Sequence, residues 1–178
     1  MRVACGSSSR GERLFFALWP DDEVRARVAA EARTSGGRPV AAGGYHMTLA
    51  FVGEADSRVR CALEQGAGSV RGEGFVCVLD RIEAWGPGIE VVAPSAPPAP
   101  LLALAEGLHR LVADVTGAAG CRSYRPHVTL TRHADHARSA NLSLPIVWCA
   151  REYVLCRSVR AEPGRYDVLK RWLLDEDL

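Results

Sequence analysis

Tyr45-His46-Met47-Thr48-Leu49-Ala50-Phe51-Val52 and, 81 positions after the first histidine, Pro126-His127-Val128-Thr129-Leu130-Thr131-Arg132 carry one phrase twice: histidine, any residue, threonine, leucine. Both runs favour β-structure. A strand sends alternate side chains to one face, so His46 points with Thr48 and His127 with Thr129. Laid side by side, the two strands would bring two imidazoles and two hydroxyls to one spot. Two histidines can supply a general base and a general acid near neutral pH. Two hydroxyls can hold a tetrahedral anion between them. A single copy of this phrase is common in strands and means little; the second copy is what changes the odds.

Working outward, residues 13–19 (RLFFALW) read as a first buried strand. Pro20-Asp21-Asp22-Glu23 then reads as the start of a helix to about Arg33, with Val24, Val28 and Ala32 as its apolar stripe. Asp56 is placed to cap a second helix that carries Val59, Ala62, Leu63 and Val70 on one side. Residues 75–85 and 89–92 read as paired strands around the Gly86-Pro87-Gly88 turn. The proline-rich stretch 93–100 fits a connector between lobes. Residues 101–115 follow the helical period most closely, with Gly117 and Gly120 closing the helix. Residues 145–158 read as one strand region and 166–174 as the last. The expected architecture is α+β, with two pseudo-symmetric lobes, antiparallel sheets lining a central cleft and helices packed outside.

The chain has 178 residues, 48% of them hydrophobic, enough for one compact domain or two small lobes sharing a core. The expected organisation is a disordered tail at 1–12 and a single bilobal domain at 13–178. A net charge of +1 gives no global case for binding long duplex nucleic acid, although the end of an RNA needs only a local positive site. The six cysteines form no C-x-x-C pair and match no zinc module, so they read as reduced, buried thiols, with Cys5 in the tail. The first twelve residues lack the apolar run of a signal peptide, and no segment has the length of a membrane span. These features point to a cytoplasmic protein with no membrane association, no cofactor, no metal and no obligate protein partner, expected as a monomer.

The paired motif meets the needs of opening a five-membered cyclic phosphate on a ribose. Hydrolysis of a 2′,3′-cyclic phosphate needs water deprotonated on one side of phosphorus and a proton delivered to the departing ribose oxygen on the other. Histidines flanking the phosphate meet both demands. Thr48 and Thr129 would donate hydrogen bonds to the non-bridging oxygens.

At these residues the chain resembles the 2H phosphoesterase superfamily, defined by paired H-x-T/S-x motifs. Within it the chain is similar to the RNA 2′,3′-cyclic phosphodiesterases, also called 2′-5′ RNA ligase-like proteins. The resemblance rests on residues 13–18 (RLFFAL), 46–54 (HMTLAFVGE) and 124–132 (YRPHVTLTR). It implies two α+β lobes around a cleft, His46 as proton donor to the leaving oxygen, His127 as proton acceptor from water, and a 2′-phosphomonoester product. The implied partners are RNA ends or small nucleotides bearing a 2′,3′-cyclic phosphate. Joining RNA through the reverse reaction, or binding a nucleotide without turnover, are the alternatives. The approach to the first motif, Ala41-Ala42-Gly43-Gly44, departs from the more polar or proline-bearing entry of relatives.

Four further residues are substrate-binding candidates. Arg132 suits bidentate recognition of phosphate, but strict alternation puts it opposite His127 unless a bulge intervenes. Arg125 shares the parity of His127, with Pro126 breaking the geometry. Phe51 and Tyr124 are candidates to stack on a base, although alternation places Phe51 with Met47 and Leu49 on the core side. His109 falls off the apolar stripe of its helix and is expected at the surface. His133, Asp135 and His136 read as a polar loop, and Arg25 and Arg27 as a solvated face.

Overall fold

The computed structural model describes residues 11–118, 123–159, 161–162 and 164–175. β1 (Glu12–Leu18) is apolar on both faces because it lies inside the sheet. Leu14, Phe16 and Leu18 enter the main core, while Phe15 and Ala17 join a smaller cluster with Val154 and Cys156 on the opposite face. α1 (Asp22–Arg33) starts where the Asp21 carboxylate accepts the Val24 N–H at 2.8 Å, a cap worth about 1 kcal/mol. It buries Val24, Val28 and Ala32. β2 (Arg38–Pro39) is a two-residue strand, and β3 (Met47–Ala55) follows. Asp56 caps α2 (Ser57–Gly66) by accepting from Arg58 and Val59. β4 (Phe75–Ala84) and β5 (Glu90–Ala93) form a hairpin. α3 (Ala99–Thr116) buries Leu101, Leu104, Ala105, Leu108 and Val112, and ends at Gly117, whose φ of 71° is left-handed. β6 (Val128–Arg132), β7 (Ala140–Ala150), β8 (Glu152–Ser158) and β9 (Tyr166–Leu173) complete the chain.

Among the described residues the strands form one sheet in the order β7-β4-β5-β6-β3-β1-β8-β9, with β2 also on β6. Neighbouring strands are antiparallel throughout. The sheet divides into two four-stranded halves whose inner borders are the motif strands β3 and β6. One residue pair, Met47 with Val128, joins them. The helices interlock the halves: α1 leaves β1 yet packs on β6 and β7, and α3 packs on β3 as well as β4. Residues buried by all three helices belong to the main core. The fold is α+β, an antiparallel sheet with three helices.

Several expectations are revised. Glu12 already belongs to β1, so the expected tail reaches too far; residues 1–10, with Cys5, lie outside the described residues, as do Gly120 and Cys121. Residues 145–158 are not one strand region. The chain breaks at Arg151 and crosses from β7, at one edge, to β8 beside β1 in the other half. Val70 follows a 3-10 turn at Ala67–Ser69 rather than riding on α2. The connector 93–100 is shorter than expected because α3 begins at Ala99, with its first-turn proline tolerated there. Cys77 and Cys156 are buried, and burial pushes each thiol up to about 12, but Cys61 and Cys149 are exposed.

Candidate active site

The two motif strands share an irregularity that the sequence does not announce. On β3, Ala50 pairs with Phe16 and Thr48 with Ala17, so Leu49 is one residue too many. On β6, Thr131 pairs with Glu90 and Thr129 with Val91, so Leu130 is the extra residue. A bulge resets the alternation of its strand. Leu49 and Ala50 therefore both turn inward, as do Leu130 and Thr131. The fifth residue after each histidine is rotated to the opposite face. Phe51 is consequently 68% exposed rather than in the core, and Arg132 is exposed as well.

Each histidine stands immediately before its strand and is held in the same way. Nδ1–H of His46 donates to the Gly44 carbonyl at 2.7 Å, and Nδ1–H of His127 donates to the Arg125 carbonyl at 2.8 Å. A carbonyl can only accept, so both neutral rings carry their proton on Nδ1 and leave Nε2 to exchange protons. Each ring also meets a tryptophan that follows the last residue of a strand. Trp19 stacks on His46 at 5.8 Å and 9°, and Trp85 lies 4.2 Å from His127. Phe15 and Tyr166 enclose His46 further, at 4.9 and 4.8 Å.

These walls decide the electrostatics. Burial lowers the pKa of His46 to about 4, and the charges of His127 and Arg132 add to the depression against the opposing Gly44 bond. His127 is also lowered, first by burial, then by Arg125 and Arg132, with the Arg125 carbonyl and Glu83 acting in the other direction. Arg132 acts on both imidazoles, so the three groups share one field. The Thr48 and Thr129 hydroxyls, half-buried on the same strands, have no hydrogen-bond partner among the described residues.

A cavity of about 350 Å³ opens beside His127 and is lined by Thr48, Phe51, Trp85, Tyr124 and Arg125, among others. Arg125 lies 4.3 Å over Trp85 and pairs with Glu83 at 2.7 Å, so its charge is already engaged. The Tyr124 hydroxyl is buried without a partner, and burial raises its pKa. His109 corrects an expectation: it is half-buried, lines the cavity and meets Tyr124 edge-on at 5.8 Å. His46 and Arg132 lie outside the cavity lining and connect to it through the shared field. Arg25 and Arg27 bond the Pro20 and Leu144 carbonyls, so they are not simply a solvated face. Among the described residues no cluster of three acidic, histidine or cysteine side chains could hold a metal. Trp19, Trp85 and Tyr166 were missed from the sequence. The two tryptophans had a signal, since each closes a run that reads as a strand (RLFFALW and FVCVLDRIEAW).

Comparison with known proteins identifies the family. The LigT like Phosphoesterase family matches residues 21–89. The RNA 2′,3′-cyclic phosphodiesterase of Escherichia coli K12 is 34% identical over 183 residues, spanning 94% of this chain and 99% of that protein. The crystal structure of E. coli LigT in apo form superposes with a TM-score of 0.85 at 32% identity, covering 94% of this chain and 99% of that one. E. coli LigT complexed with 3′-AMP gives 0.83 at 32% identity, covering 93% and 99%. The chain belongs to the LigT-like phosphoesterases of the 2H superfamily.

Proposed function

We propose that this protein hydrolyses 2′,3′-cyclic phosphate ends of RNA or nucleotides to the 2′-phosphomonoester. Water attacks phosphorus as its proton passes to Nε2 of His127. The bond from phosphorus to O3′ breaks, and O3′ takes a proton from Nε2 of His46. Thr48 and Thr129 donate to the non-bridging oxygens, and Arg132 offsets the charge that gathers there. Phe51 and Tyr124 flank the base, with Arg125 at the rim. Burial depresses both imidazoles, so the donor's proton is recruited with the substrate. The phosphate anion counters the Arg132 field and favours the imidazolium. The protein acts as a metal-independent monomer in the cytoplasm; no helix among the described residues is long and apolar enough to cross a membrane.

The observation that carries this reading is the matched anchoring of His46 and His127 on one shared field. It is tested with a 2′,3′-cyclic mononucleotide and excess chelator. Turnover should persist in chelator, and His46→Ala and His127→Ala should each lower kcat by roughly 10²–10⁴-fold. Activity that dies with chelator, or survives both substitutions, refutes it.

A further inference from the structure

We infer that Arg38 is a second phosphate-binding arginine, which holds a backbone phosphodiester of a single-stranded RNA upstream of its cyclic end. The inference rests on the proposed reaction and extends it from the reacting group to the chain that carries it.

The geometry is set by strand register. Arg38 on β2 pairs directly with Arg132 on β6, and Pro39 with Thr131. Directly opposed residues of an antiparallel pair share a face, with Cβ atoms roughly 4.5–5.5 Å apart. The bulge at Leu130 turns Arg132 to the face of the imidazoles, so Arg38 stands there too. Both side chains are exposed. Neither has a carboxylate partner among the described residues, although most arginines resolved elsewhere in the chain pair with an acid. Like charges directly opposite each other destabilise a sheet. An anion between or beside them reverses that cost, and a guanidinium fork suits a phosphate.

The two arginines differ in reach. Arg132 depresses both imidazoles, and Arg38 lies one strand away from it, on β2. Arg132 thus faces the reacting phosphate, and Arg38 stands beyond it. A cyclic phosphate closes the 3′ end of its chain, so the next phosphate can lie only on the 5′ side. Glu90, which pairs with Thr131 beside Arg132, is already bound to Arg138.

The test compares a 2′,3′-cyclic mononucleotide with a short single-stranded RNA ending in the same group, for wild type, Arg38→Ala, Arg38→Lys and, as a control, Arg110→Ala on the exposed face of α3. Arg38→Ala should leave kcat/KM for the mononucleotide within about twofold and lower that for the RNA about tenfold. The slope of log affinity against log salt should become shallower by about 0.7, the value for one phosphate contact on a single strand. Arg38→Lys should keep the slope, and Arg110→Ala should change nothing. Equal losses on both substrates, or no loss on either, overturn the inference. Equilibrium binding of a labelled RNA ending in a 3′-phosphate, read by fluorescence anisotropy, keeps the two readings apart. If no variant turns over any substrate, a tenfold weaker binding by Arg38→Ala still supports the arginine site while the reaction fails. Unchanged binding with intact turnover fails the arginine site alone.

Discussion

The two halves of the cleft copy each other's geometry and not each other's charge. In both, a histidine stands just before the strand, donates from Nδ1 to the carbonyl two residues back and meets a tryptophan from a strand end. In both, a leucine three residues on is bulged. The surroundings then diverge. His46 is walled by Trp19, Phe15 and Tyr166. His127 has Trp85 on one side, and with it the Glu83–Arg125 pair. The position after each bulge is Phe51 in the first half and Arg132 in the second. Backbone anchoring thus places two imidazoles symmetrically, while side chains make the halves unequal. One half offers apolar surface and the other offers charge, an asymmetry that would orient the substrate of the proposed reaction.

Truncating Arg132 breaks this comparison most directly. Arg132→Ala should lower kcat/KM by about 10²-fold, mostly through kcat, because its charge meets the negative phosphate oxygens. Arg132→Lys should recover only part of that, having lost the fork. Steady-state kinetics on a cyclic mononucleotide read both effects.

The next effect is a pH dependence of stability. The folded pKa of His46, about 4, lies below its ordinary value of 6.5. As pH falls, the unfolded chain takes up the proton first. The stabilisation is therefore complete above pH 6.5 and lost progressively between 6.5 and 4. Urea unfolding at pH 7 and pH 4.5 should show wild type losing about 2 kcal/mol more than His46→Asn over that interval. An identical acid loss in both proteins would show that the aromatic walls do not hold the ring neutral.

The smallest effect is expected at Phe51. Phe51→Ala should raise KM about tenfold, the scale of one base–aromatic contact, and leave kcat within about twofold. A drop in kcat as large as that of Arg132→Ala would erase the distinction between the apolar half and the charged half.

Much of the fold was legible residue by residue. Asp21 and Asp56 mark their helices because a short carboxylate reaches the free N–H groups of the first turn. The stripe from Leu101 to Val112 marks α3 because apolar residues at the helical period form one buried face. Phe51 was misplaced for an equally local reason. Alternation holds only while neighbouring strands stay in step, and β3 slips by one residue against β1. His109 was misplaced because Tyr124, distant in sequence, covers it.

The sequence by itself determined the chemical inventory: two H-x-T-L segments, the helix caps and the apolar periods that make an α+β chain. Those features are local, since they depend on side-chain type and on spacing within a few residues. Only the tertiary structure decided which groups share the cleft and how they titrate. A bulge exists only against a partner strand, and desolvation depends on what folds over a ring. The turn that brings Arg132 toward the imidazoles and the aromatic box that lowers His46 are both non-local facts.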